Sequence, residues 1–157
     1  MHAVILADGE FPKTQKLLDL LKNSFVAVCD GAIYNLDKIN IQPNIIVGDL
    51  DGISCELKNK YIDKIIHIKE QNTNDLSKTF SYCLKLGFDT FVILGATGKR
   101  EDHTVANISL LPKLARKCKS VVMKSDYGEF RVYLTPCKVE SMKGQQISIF
   151  CFDKDVN

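Results

Sequence analysis

The chain has 157 residues, 45% hydrophobic and 25% charged, with 21 basic and 19 acidic side chains and a formal net charge of +2. That length builds one domain with a substantial core and is short for two complete ones. The balanced, scattered charge excludes the footprint of a nucleic-acid binder, and no apolar run approaches membrane-spanning length.

The first run, AVILA (3–7), follows Met1-His2 without a basic flank and leads straight into Asp8. It is too short for a secretory leader and predicts a strand. Further strands are predicted at FVAVC (25–29), NIIVG (44–48), KIIHI (64–68), TFVILG (90–95) and SVVMK (120–124). All are rich in Val and Ile and near-continuous rather than alternating, the pattern of strands covered on both faces. Helices are predicted between them, over 12–23, 32–40, 74–87 and 102–118. The third carries Leu76, Phe80, Cys83 and Leu84 on one side and stops at Gly87, a suitable left-handed terminator. Pro112 is expected to kink or break the fourth. Strands alternating with helices predict an α/β fold around a mostly parallel sheet.

After about residue 125 the pattern changes. EFRVYL (129–134) and QISIFCF (146–152) alternate, and MKGQ (142–145) has the composition of a hairpin turn. These predict antiparallel strands. So few residues cannot stand alone as a sheet domain, so they pack on the first unit or open a second one whose remainder is missing. The six cysteines at 29, 55, 83, 118, 137 and 151 form no CxxC pair. A structural zinc or redox dithiol is therefore not expected, and free thiols in apolar patterns fit a reducing cytoplasm.

Ligands of an open parallel sheet bind beyond the C-terminal ends of its strands. Acids and amides fall there repeatedly: Asp8-Gly9, Asp30-Gly31, Asp49 and Asp51, then Asn72, Asn74 and Asp75, and finally Asp102-His103. Asp75 and Asp102 open helices, where an acid is also a favourable first-turn charge. Asp8-Gly9 and Asp30-Gly31 also read as plain turns. Asp49 and Asp51, one residue apart in GDLDG, are harder to explain as a turn. Close carboxylates repel unless a cation compensates, and Mg²⁺ prefers oxygen ligands supplied by carboxylates and phosphates.

The stretch LGATGKRED (94–102) supplies the opposite charge. Gly95 and Gly98 permit close backbone approach, Thr97 lies between them, and Lys99 and Arg100 suit phosphate oxygens. Neither a Walker A sequence nor a GxGxxG fingerprint is present. His103 either orients Asp102, touches a phosphate or caps the helix. Asn107, four residues on, shares that face or serves structure. Together these residues point to carboxylate–Mg²⁺ and phosphate groups around one cleft, hence phosphoryl or nucleotidyl chemistry. They do not choose among a kinase, a pyrophosphokinase, a phosphohydrolase and a nucleotide-binding regulatory module.

The set ADG (7–9), CDGAIYNL (29–36), PNIIVGDLDGI (43–53), NDLSKTFSYCLKLG (74–87) and LGATGKREDHTVANISLL (94–111) resembles the thiamine pyrophosphokinase family. The likeness runs over roughly 3–124, and 130–150 is similar to the opening of that family's second domain. It implies a three-layer, Rossmann-like ATP-binding domain over 1–125, then the first strands of a β-sandwich over 126–157. The implied enzyme uses Mg²⁺ to move the pyrophosphoryl group of ATP onto the hydroxyethyl oxygen of thiamine, releasing AMP. The implied protein is a cytoplasmic homodimer with its thiamine site across the interface. Carried over, Asp49, Asp51, Asp75 and Asp102 are the implied metal-binding acids, and Asp30 joins them as a catalytic candidate. Asp8, Gly9, Gly31, Gly95, Thr97, Gly98, Lys99, Arg100, His103 and Asn107 form the implied nucleotide set. A pyrophosphokinase for another alcohol, such as a hydroxymethylpterin, fits the same core. Asp75 is the favoured proton acceptor, if one is needed.

Some positions depart from the family pattern. Ala32 follows Gly31 where a second glycine is frequent. Asn72 replaces an aspartate, Asn74 a threonine and Lys99 a glycine. Asn72 removes one negative charge and leaves only hydrogen bonding there. Family members are also longer, which implies that the second domain is cut after its first strands.

Overall fold

The computed structural model describes residues 1–133 and 136–151. Seven strands form one sheet: β1 (His2–Leu6), β2 (Phe25–Cys29), β3 (Ile45–Gly48), β4 (Ile65–His67), β5 (Thr90–Leu94), β6 (Ser120–Lys124) and β7 (Glu129–Arg131). Their spatial order is β4-β3-β2-β1-β5-β6-β7. Every pairing is parallel except β6 with β7. Five α-helices connect them: α1 (Gln15–Lys22), α2 (Ile33–Lys38), α3 (Cys55–Lys60), α4 (Asp75–Lys85) and α5 (Glu101–Ala115).

The strand periodicity of two divides the core. In β1, Val4 and Leu6 join one apolar cluster, and Ala3 and Ile5 join the other. The first cluster takes Leu17 and Leu21 of α1, Ile33 and Leu36 of α2, and Leu57 of α3. The second takes Leu76, Phe80 and Cys83 of α4, and Leu111 and Leu114 of α5. Helices therefore cover both faces, which is why the central strands read as unbroken apolar runs. Phe80 is fully buried, its ring centroid 4.6 Å from that of Phe91. Burial of such a side chain stabilises the fold by about 2–3 kcal/mol.

Helix α4 shows how local chemistry sets an element. Asn74 caps it, its side-chain oxygen accepting from the Ser77 amide at 3.0 Å. Gly87 ends it at φ 90°, as its sequence position predicts. Other expectations need correction. Of the two outcomes expected at Pro112, a break does not occur: α5 continues through it. Proline removes one backbone donor there, but Leu111 and Leu114 on either side are buried against the sheet, and that packing outweighs the loss. Helix α3 lies where no helix is expected; Ser54 caps it by accepting from Leu57 N at 3.4 Å. The strand expected over 129–134 covers Glu129–Arg131 and forms an antiparallel edge of the same sheet. The strand expected over 146–152 is not formed at 146–151, although the turn at 142–145 closes with Gln145 N donating to Met142 O at 3.0 Å. Residue 152 lies outside the described residues, as does 134. Among the described residues no helix is long and apolar enough to cross a membrane.

The chain winds outward from β1 to β4, then returns to place β5 on the other side of β1. This reversal opens a crevice beyond the carboxyl ends of β1 and β5, the usual ligand position in such sheets.

Candidate active site

A cleft of about 540 Å³ occupies that crevice. Its walls come from the loops after β1 to β5 and from the first turns of α4 and α5.

The acidic wall is built from the inside outward. Asp30 is buried after β2. Its carboxylate accepts from Gly31 N at 2.6 Å and from Leu50 N at 3.0 Å. Position 48 must lack a side chain for Asp30 to lie there, since a Cβ would sit 2.7 Å from the carboxyl carbon. Burial, aided by the negative charge of Asp75, raises the Asp30 carboxyl above its ordinary value against those two amide bonds. The GDLDG turn hangs from Asp30. Leu50 adopts φ 68°, rare for a branched side chain, and is held by its buried side chain and by that amide bond. Asp49 Oδ1 accepts from Asp51 N at 3.2 Å, closing the turn on itself. From outside, the Tyr34 hydroxyl donates to Gly52 O at 3.2 Å and accepts from Ser54 N at 2.8 Å.

Beside Asp49, on the same wall, stands the first part of α4. Lys78 is only 5% exposed, and its ammonium lies 3.1 Å from Asp75 Oδ1 and 3.8 Å from Asp49 Oδ2. Burial pulls its pKa down, but the hydrogen bond to Asp75 and the charges of Asp75, Asp49 and Glu70 outweigh this and raise it. Beneath it, Thr79 is fully buried, donating to Asp75 O at 2.7 Å and lying 3.4 Å from Cys29 Sγ. Burial pushes the Cys29 thiol up to about 12, so it stays protonated and offers no nucleophile.

The basic wall follows β5. Its backbone is zipped to the first loop: Ala7 N donates to Leu94 O at 2.9 Å, Gly9 N to Gly95 O at 2.5 Å and Glu10 N to Thr97 O at 2.7 Å. Gly95 sits at φ 63°, and a Cβ there would lie 2.4 Å from Ala7 O. Only glycine satisfies both conditions. Asn107 donates to Ala96 O at 2.9 Å, so three successive loop carbonyls are consumed by protein donors. Asn107 also accepts from Asn74 Nδ2 at 3.2 Å, tying α5 to α4. Lys99, at φ 62°, reaches Asp8 Oδ1 at 2.8 Å. Arg100 grips Asp102 with two donors, and that hydrogen-bonded pair holds the exposed Asp102 carboxyl below the usual range.

Asp8, Gly9, Asp30, Gly31, Asp49, Asn74, Asp75, Gly98, Lys99, Arg100, His103 and Asn107 line the cleft. Asp51, Asn72, Gly95, Thr97 and Asp102 do not; Gly95 and Thr97 act through backbone carbonyls, and Asp102 through Arg100. The four acids expected to share a cation therefore do not meet at one point. Asp49 and Asp75 face each other through Lys78, and among the described residues no group of three His, Cys, Asp or Glu is disposed to hold a metal by itself. Sequence reasoning missed Lys78, together with Gln71 and Thr73 on the same wall. The available signal was a lysine three residues after Asp75, and so on the same helix face as that acid.

The family model described as "Thiamin pyrophosphokinase, catalytic domain" matches residues 17–123. The chain belongs to the thiamin pyrophosphokinase family. Thiamin pyrophosphokinase 1 of Caenorhabditis elegans is 32% identical over 99 residues, spanning 57% of this chain and 40% of that protein. The thiamine pyrophosphokinase structure from Bacillus subtilis superposes with a TM-score of 0.68 at 22% identity, over 80% of this chain and 61% of that one. The structure of yeast thiamin pyrophosphokinase gives 0.67 at 18% identity, over 79% and 58%. The likeness to these two structures establishes the shared fold. The chain thus spans two fifths of the curated relative's length and about three fifths of the solved ones.

Proposed function

We propose that this family member binds ATP and thiamine and catalyses transfer of the pyrophosphoryl group to the thiamine hydroxyethyl oxygen, releasing AMP. One observation carries the reading. Buried Asp30, half-buried Asp49 and Asp75 and a buried lysine on one wall face lysine, arginine and histidine on the other, at the switch point of a thiamin pyrophosphokinase fold. The cleft volume suits a nucleotide-sized ligand.

A divalent cation, taken as Mg²⁺, fits the acidic wall. Asp49 and Asp75 already share a positive charge between them, and their donors are hard oxygens. When bound, such a cation clamps phosphate oxygens and neutralises developing charge. Asp51 supports the pair by closing the turn on Asp49, and Asp102 by aiming Arg100. Lys99, Arg100, His103 and the N-terminal end of α5 take the remaining phosphate charge. The ion pairs of Lys99 and Arg100 are exposed and exchange cheaply for phosphate contacts. Asp75 is the proposed proton acceptor for the alcohol, with positioning supplying most of the rate.

We also propose that the sheet is the Rossmann-like half of a longer arrangement. In that arrangement, 126–157 opens a β-sandwich and a cytoplasmic homodimer completes the thiamine site. The decisive assay is thiamine-dependent release of AMP from ATP. Release of phosphate without thiamine would mark a hydrolase, thiamine-independent AMP release with a hydroxymethylpterin a different pyrophosphokinase, and intact ATP a binding module.

A further inference from the structure

We infer that Lys78 is a positioning residue: a resident counter-cation that holds Asp49 and Asp75 in place before a divalent cation arrives and passes to the phosphates when it does. The inference rests on the reading that the cleft takes a divalent cation with a polyphosphate.

Lysine on the inner face of a helix is costly, because its charge loses water. Here the side chain is buried, and the ammonium lies at the cleft wall between Asp75 and Asp49. Without it, Asp49 and Asp75 would face each other as uncompensated like charges, with Asp30 close behind. The ammonium carries three donors and makes one hydrogen bond, to Asp75 at 3.1 Å; its contact with Asp49 at 3.8 Å is an ion pair beyond hydrogen-bond length. Donor capacity therefore remains on the side that opens to the cleft. A divalent cation drawn to the same two carboxylates repels the ammonium, and phosphate oxygens are the acceptors within the cleft for the donors it frees. Lys99 and Arg100 cannot take this part, since they stand on the opposite wall and pair with Asp8 and Asp102.

The test measures two affinities separately for the wild-type chain, Lys78→Met and Lys78→Arg. Mn²⁺ binding is titrated without nucleotide, and inorganic triphosphate binding is titrated in EDTA. A counter-cation competes with the metal, so Lys78→Met should bind Mn²⁺ about tenfold tighter and triphosphate about tenfold weaker, with Lys78→Arg near wild type in both. A merely structural lysine predicts that both affinities fall together, and that result, or no change in either, overturns the inference. If Lys78→Met is folded only with Mn²⁺ present, the metal has replaced the ammonium, which supports it. If Lys78→Met and Lys78→Gln both fail to fold even with Mn²⁺, the side chain is structural and the inference is overturned. The activity is judged apart, by AMP release from the wild-type chain. Its absence alongside the opposed affinity shifts removes the enzyme reading and leaves the lysine's role standing. A wild-type chain that binds neither Mn²⁺ nor triphosphate removes both.

Discussion

The two walls of the cleft are built in opposite ways. On the acidic wall Asp30 and Lys78 are buried, and the carboxylate of Asp30 is fixed by two backbone amides. On the basic wall the backbone is fixed but the charged side chains are not: Lys99 and Arg100 are exposed, each resting on an exposed acid. Burial makes electrostatics strong and geometry stiff, whereas exposed ion pairs are worth ~0–1 kcal/mol. The acidic wall is therefore preorganised, and the basic wall is held ready to exchange its partners for a ligand.

The sharpest way to break this contrast is Asp49→Asn. It should reduce thiamine-dependent AMP release by about a thousandfold, the upper end for loss of one preorganised electrostatic group, while the circular dichroism spectrum is retained. Unchanged turnover would show that the acidic wall is not the reacting one. Gly95→Ala tests the backbone of the basic wall. The left-handed conformation and the clash with Ala7 O should cost about 3 kcal/mol in urea unfolding, and nucleotide binding should weaken with it. Arg100→Ala should act in the reverse sense, raising the KM for ATP about tenfold while shifting stability by less than ~0.5 kcal/mol. A large loss of stability there would mean that this wall is as rigid as the other.

The smallest expected effect is a pH slope. Asp30 titrates above its ordinary 3.8 in the folded protein, mainly through burial. Between 3.8 and that raised value the native state keeps a proton the unfolded chain has lost, so this group's destabilisation is complete at higher pH and lifts as pH falls. The stability of wild type relative to Asp30→Asn should therefore be greater near pH 4 than near pH 7, measured by urea unfolding at each. An equal difference at both would show that Asp30 is not held in a desolvated site.

Much of this was legible in the order of residues. Near-continuous runs such as AVILA and FVAVC specified buried parallel strands because both faces of such strands are apolar, and the acids and glycines after each run marked the binding edge. Helix α4 carried its own start and stop in Asn74 and Gly87. These are local or periodic signals, and one stretch of chain suffices to express them.

Contacts between distant stretches decided the rest. Pro112 stays inside a helix because the sheet buries Leu111 and Leu114. Asp51 and Asp102, equal to Asp49 and Asp75 as letters, do not line the cleft: Asp51 gives its amide to Asp49, and Asp102 pairs with Arg100. Lys78 becomes part of the site only because α4 packs across β3 and brings it against Asp49, 29 positions away in the chain. The order of residues was not enough for the strand expected over 146–152, but it was enough for the six parallel strands and the edge where their chemistry gathers. Which charges meet there was decided by tertiary packing, because a Coulomb interaction depends on distance and burial, and neither is encoded in any single segment.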